Sequence, residues 1–403
     1  MSVNFNRGTA WVRLQTVVVG VILLLPASAY SGPKEKGPSQ SKGHSSQAPI
    51  REEMSGLFMV TSEILPLVLD KQKFESKKNA KIIRAQMLKL KALSEKMASK
   101  SKRFEDSDPS IRFVSERFAE DINYAIDIWD KGGTDVTRGV LRNVTDYCIT
   151  CHTRTSKGAH FNSAYLPKGF ASMPLLSRAE YLAATRQFDE ALKLYEHILS
   201  DRPLAQLNPG AWAESVRKTL AISVRVKDSP HLALEMISRV QDSPESVLPA
   251  MTAEIAEWRV AAKAWIAEKP KALENDDAKR AEASRLLKEA EIAERKVKGA
   301  GLIQNLRASA ILHELLSRTQ GGEGYQELLF MAGNMANSLK GLNLWTMQDA
   351  YFERCIRIDP NSSLAKKCYD NYESSLLRSY GASSKANLPE FIQNRLDLVK
   401  QKK

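Results

Sequence analysis

From Glu52 onward the apolar residues of this chain recur at three- and four-residue steps, the period of amphipathic helices. A first helix is predicted over about residues 52–65, with Met54, Leu57, Phe58, Thr61 and Ile64 on one face and Pro66 ending or kinking it. A second, about 79–99, carries Ile83, Met87, Leu90 and Met97 on one side and lysines opposite. Asp108-Pro109 is a helix start signal, followed by Ile111, Val114, Phe118, Ile122, Ala125 and Trp129. Gly132-Gly133 breaks the chain, and a fourth helix starts near Thr134 or Asp135 and runs through Val140, Val144, Tyr147, Cys148 and Cys151. Four such helices with short connections predict an antiparallel bundle over 51–157.

The segments before and after this region read differently. Arg7 and Arg13, the apolar run Leu14 to Pro26, and the small residues Ala27-Ser28-Ala29 form a secretory leader, so residues 1–29 are expected to be removed. The run is short for a bilayer and is followed by polar residues, so no transmembrane anchor is expected after cleavage. Residues 30–50 have almost nothing to bury and are expected to be flexible, with His44 merely solvated. Gly158, Pro167, Gly169 and Pro174 mark a linker over 158–173, after which 174–403 is again helical.

The chemistry-bearing stretch is Cys148-Ile149-Thr150-Cys151-His152, the C-x-x-C-H pattern of covalent haem attachment. Two thiols add to the porphyrin vinyl groups, and the adjacent histidine becomes the proximal iron ligand. On a helix the two cysteines fall one turn apart on one face, so a single short segment holds ring and iron. Half a zinc site or a dithiol redox pair are the competing readings. The other two cysteines, Cys355 and Cys368, are too far apart for a second C-x-x-C, and no β-α-β pattern surrounds Cys148.

Four helices with C-x-x-C-H near the end of the last resemble the class II cytochromes c, of the cytochrome c′ and c556 type, over roughly a quarter of the chain. The resemblance implies one covalently bound haem c, with Cys148, Cys151 and His152 as its attachment and proximal residues. It also implies that the sixth iron position faces the first helix, where a methionine makes an electron carrier and a non-ligating residue leaves a gas-accessible iron. Met54 and Met59 are the candidates. Five positions put them about 140° apart on a helix, so both cannot face the haem. Met54 shares the apolar stripe and is the expected ligand. Arg51, Arg142 and Arg154 are candidates for pairing with haem propionates, with surface solvation as the alternative, and His160 is expected on the exposed proximal side.

Further on, Phe188, Ala191, Tyr195 and Pro203 are spaced as in the second helix of a tetratricopeptide repeat, which this stretch resembles, although Ile198 stands where the repeat has a small residue. His231 to Val240 and Asp349 to Pro360 repeat the pattern faintly, without the strict period. The expectation is therefore an all-α protein, a haem-binding four-helix bundle followed by an α-solenoid of helical hairpins. Residues 269–298, dense in Ala, Glu, Lys and Arg, are expected as a solvated helix pair. Cys355 and Cys368 flank Asp359-Pro360-Asn361, a turn between helices, and are expected to form a disulfide after export. His197 and His313 read as packing residues.

Charge adds little. The formal net charge of +12 includes the two leader arginines and is spread along the chain, favouring acidic partners. Export argues against nucleic acid. The functional expectation is a periplasmic monohaem carrier of electrons in a bacterium, its repeats docking a protein redox partner. The alternative is a scaffold or a redox or gas sensor in which the repeats carry the binding function. Haem peroxidase chemistry has least support, because no distal acid-base pair is evident.

Overall fold

A computed structural model describes residues 48–154, 156, 166–241, 249–269, 273–319, 321, 324–339, 342 and 346–401. The expected leader, residues 30–47 with His44, the linker as far as residue 165 with His160, and the side chain of Arg51 lie outside the described residues. The described chain is all-α, without a strand among the described residues.

The first helices are α1 (Ala48–Leu69), α2 (Lys71–Glu75), α3 (Lys77–Ser101), α4 (Pro109–Asp130), α5 (Thr134–Arg142) and α6 (Val144–His152). There follow α7 (Leu175–Ala184), α8 (Phe188–Leu199), α9 (Arg202–Leu207), α10 (Pro209–Ala221), α11 (Pro230–Gln241) and α12 (Pro249–Ala267). The last are α13 (Asp276–Lys296), α14 (Leu302–Arg318), α15 (Tyr325–Ser338), α16 (Met347–Ile358), α17 (Ser363–Tyr380) and α18 (Glu390–Gln401).

Local chemistry sets many of these ends. Asp108 caps α4 by accepting from the Ser110 N–H at 3.1 Å, with Pro109 in the first turn, where its missing N–H leaves no bond unmade. Asp201, Asn208 and Ser362 cap α9, α10 and α17 in the same way. Pro66 does not end α1; it sits in the last turn, and Val68, fully buried, continues the apolar stripe beyond it. The expected fourth helix divides at Asn143, where the backbone leaves the helical region (φ −88°, ψ 2°) and its N–H turns back to Val140. Cys148 and Cys151 therefore stand on a separate short helix, α6.

Helix α1 packs on α3, α3 on α4, and α4 on both α5 and α6. Leu57, Val60, Ile64, Ile83, Met87, Leu90, Phe118, Ile122, Leu141 and Val144 form the core they share. Glu53, fully buried, bonds Lys96 and Lys100 of α3 at 2.8 and 2.7 Å, which fixes the rotation of α1.

After α6, neighbours in sequence pack as successive helix pairs: α7 with α8, α11 with α12, α13 with α14, and then α14 through α17 each on the next. Phe188, Ala191, Tyr195 and Ile198 are all buried on α8, and Pro203 serves in the first turn of α9. The stretch expected as a solvated helix pair is one helix, α13. Its Ala283, Leu286 and Ala290 form a buried seam against α14, while Ile292 is exposed; a density of charged residues hid a seam of small ones.

Residues 46–403 form one compact unit. Helix α6 packs on α7 and α4 on α16, so Leu65, Val114 and Ile149 belong to the same apolar core as Tyr181, Tyr195 and Tyr351. Cys355 of α16 and Cys368 of α17 form a disulfide, with Cα atoms 6.2 Å apart and a sequence separation of 13. Closing a loop of that size restricts the unfolded chain by about 3 kcal/mol. The Cys355→Ser, Cys368→Ser double variant should lose about that much in urea titration, and dithiothreitol should lower the wild-type midpoint to match while leaving the variant unmoved.

Candidate functional site

Helix α6 is held by its buried face. Ile149 and Thr150 are buried, and Thr153 closes the helix by donating its hydroxyl to the Ile149 carbonyl at 2.8 Å. Cys148, Cys151 and His152 occupy the opposite, half-buried side, and both cysteines are free thiols. Burial pushes the Cys148 thiol up to about 12, and the neighbouring Cys151 and Asp146 add to the effect; burial raises Cys151 as well. Both sulfurs are thus neutral near pH 7, which disfavours a pre-activated redox dithiol.

His152 is oriented from outside its own helix. Its Nδ1 lies 2.5 Å from the Ala184 carbonyl oxygen at the end of α7. A carbonyl only accepts, so Nδ1 carries the proton and Nε2 keeps a free lone pair. Burial lowers the imidazole to about 4, against the pull of that carbonyl and with help from Arg186, so the ring is neutral. Arg186, in the left-handed region at φ 60°, donates to the carbonyls of His152 at 2.7 Å and Ser156 at 3.1 Å.

Cys148 and His152 border a narrow pocket of about 30 Å³, which Cys151 does not line. Met54, Leu57, Phe58 and Thr61 wall it from α1, Cys148 and His152 from α6, and Tyr181, Ala184 and Thr185 from α7 and its end. Met54 is half-buried on this wall, whereas Met59 is 41% exposed. The Tyr181 hydroxyl is fixed by Ser62 at 2.7 Å. The pocket is lined mainly by apolar groups, with a thioether sulfur, a thiol and an imidazole among its walls.

The other predicted residues lie elsewhere. Arg142 is exposed. Arg154 is neither solvated nor turned to the pocket; it is 6% exposed and donates to Asp108 Oδ2 at 3.2 Å, Ser110 Oγ at 2.7 Å and the Thr150 carbonyl at 3.2 Å. His197 is exposed rather than packed. His313 is buried, and a carboxylate does lie beside it: its Nδ1 is 3.2 Å from Asp108 Oδ2. Tyr351 donates to Ser110 Oγ at 2.8 Å and Tyr325 to the Ser107 carbonyl at 2.8 Å, completing a buried polar centre between α4, α6, α14, α15 and α16.

A second set of ties fixes α6 sideways. The ammonium of Lys218 on α10 is 3.0 Å from Asp146 of α6, 2.8 Å from Glu180 of α7 and 2.8 Å from Glu214. The three carboxylates lie close enough to suit a metal ion, but the lysine already supplies the cation. Burial opposes that charge, yet the surrounding acids, Glu180 first, hold the ammonium well above its ordinary range.

Sequence reasoning missed Tyr181, Ala184, Arg186 and Lys218. An alanine acting through its carbonyl leaves no mark in a sequence, and Lys218 looks like any helix lysine until Asp146, 72 residues away, is placed beside it. No protein-family model, curated protein or solved structure matches the chain.

The polar centre predicts a pH dependence. Burial lowers His313 to about 4, with Arg154 and Arg225 adding to the effect and Asp108 opposing it. The unfolded histidine takes up a proton near pH 6.5, so between 6.5 and 4 the unfolded chain holds more protons than the native one and stability falls with pH. From this group alone the loss should reach about 3 kcal/mol across the window, with no further loss below it. Urea titrations of wild type and His313→Asn between pH 4 and 7 should show a shallower slope in the variant; equal slopes would refute the assignment.

Proposed function

We propose that the chain is an exported c-type cytochrome that carries electrons in the periplasm. The observation that carries this reading is the imidazole of His152, held by the Ala184 carbonyl with Nε2 free, in one pocket with Cys148 and Met54. The donor set fits a haem: two neutral thiols one helical turn apart, a neutral imidazole, and a thioether on the facing helix. Thioether bonds from Cys148 and Cys151 would fix the porphyrin, and a bound haem supplies a one-electron iron centre.

The remaining work falls to the protein's own groups. His152 presents Nε2 as proximal donor, and the hydrogen bond to Ala184 keeps the tautomer and raises the ring's basicity. Met54, on the α1 wall of the pocket, would supply a second donor to the group. Leu57, Phe58 and Tyr181 exclude water, and a rigid apolar pocket changes little between oxidation states. In this reading α1, α3, α4 and the α5–α6 pair are the haem-binding bundle, and the later helices are a solenoid that docks a protein redox partner. The formal charge, +12 for the whole sequence and +10 once the two leader arginines are removed, suits an acidic partner.

One observation favours a second reading. Ala184 and Arg186, which hold His152 on both sides, belong to the first helix pair of the later region. Any displacement of His152 is felt by that pair, as a redox or gas sensor requires. Axial ligation separates the two readings. Visible spectra of the purified mature protein, oxidised and reduced, with and without carbon monoxide, should be low-spin and indifferent to carbon monoxide, while Met54→Ala becomes high-spin and binds it. A wild type that binds carbon monoxide readily favours sensing, and absence of haem overturns both.

A further inference from the structure

The chain holds a second cavity, beyond the end of α6, and its most buried cation has no carboxylate partner among the described residues. The cavity, about 700 Å³ and open to solvent, lies between the end of α10 and helices α12, α13 and α14, with Val224, Trp265, Leu286 and Ile311 among its apolar walls. Arg225 lines it from a π-helical turn, Ile222–Val226, that continues α10. Such wide turns concentrate at functional sites, because they push one residue out of helical register.

Arg225 is 3% exposed, yet no carboxylate pairs with it among the described residues. Its Nη2 donates to Thr153 Oγ1 at 2.7 Å, its Nη1 makes a long contact of 3.4 Å with Ser309 Oγ, and its Nε–H has no acceptor. A buried cation in this state is costly. Burial first, and then the like charge of Arg154, lower its guanidinium to about 9.

The other charges around the cavity are accounted for. Glu268 pairs with Arg307 at 2.6 Å, Glu282 with Arg285, and Glu314 with Arg318 and, at 3.3 Å, Lys279. Asp228 is solvated at the mouth, and His313 is neutral. What is left is one buried cation without a carboxylate partner, Arg225, on the wall of a cavity of mixed polar and apolar lining, with Lys269 and His231 exposed and Arg307 stacked on Trp265. One buried cation with Val224, Trp265 and Ile311 nearby suits a single negative charge on a partly apolar body.

We propose that this cavity binds a small organic monocarboxylate, with Arg225 as its counter-ion and Trp265 and Ile311 against its apolar part. The proposal does not depend on haem attachment.

Isothermal titration of the full chain with acetate, hexanoate, benzoate, benzamide and inorganic phosphate tests it. Hexanoate or benzoate should bind saturably, with benzamide and phosphate at least ten-fold weaker. Arg225→Gln should abolish that binding, and so should Ala310→Phe, which adds bulk to the cavity wall and keeps the cation. Should the first variant fail to fold by circular dichroism, the second decides. No saturable carboxylate binding, equal binding of benzamide, preferred binding of phosphate, or undiminished binding in Ala310→Phe each overturns the proposal.

Discussion

The buried carboxylate of Asp108 is the constraint on which the relation between the two helical regions rests. One oxygen caps α4 through the Ser110 N–H, and the other meets Arg154 just past α6 and His313 on α14. Taking a carboxylate out of water costs several kcal/mol, and the cost is offset only where every lone pair finds a donor. Here the donors come from elements 46 and 205 residues away in the chain. Removing Arg154 strands the charge, at a cost of about 3–5 kcal/mol. A carboxylate with such partners admits one arrangement of the helices and rejects slipped ones, which apolar contacts alone would tolerate. Burial of this kind also holds the Asp108 carboxyl below the usual carboxylate range, with Arg154 and His313 outweighing desolvation.

From that fixed point the geometry of the pocket beside α6 follows. Arg154 anchors the chain just beyond α6, Lys218 ties Asp146 near its start to α7 and α10, and Arg186 holds the His152 carbonyl. A nine-residue helix would have little stability of its own. Held at both ends, it presents the two thiols and the imidazole in one orientation, and the Ala184 carbonyl meets Nδ1 without a search. For a carrier, rigidity of this sort keeps reorganisation small on electron gain and loss.

What could be read from the residues was local. The periodic apolar stripes of α1, α3 and α4, the Asp108-Pro109 start and the C-x-x-C-H pattern all act within a few positions of themselves. The choice of Met54 over Met59 needed only helical geometry, and in the structure Met54 faces the pocket while Met59 is largely solvent-facing. What could not be read was set by distant partners. Arg154, two residues past the motif, looks like a surface or propionate-binding residue until Asp108 and the Met347 sulfur, 193 positions on, enclose it. Arg186 depends on a positive φ that no side-chain pattern announces. Helix α13 shows the opposite error, since its alanines counted as filler in a charged stretch and proved to be the contact.

Thr153 links the two cavities. Its hydroxyl donates to Ile149, closing the helix that carries the thiols, and accepts from Arg225, the unpaired cation of the second cavity. A group that binds Arg225 draws on the same guanidinium that braces this helix end. A hydrogen bond to a charged group contributes about 1.5–3 kcal/mol, so coupling through this contact alone is bounded at roughly ten- to a hundred-fold in affinity. That range is large enough for occupancy of one cavity to bias the other and too small to gate it absolutely. Reciprocity then requires that, if an anion at Arg225 alters the affinity of the α6 pocket for a ligand, that ligand alters anion affinity by the same factor. Communication between the two sites therefore needs no large movement of the helices, only a shift in how one threonine shares its hydroxyl.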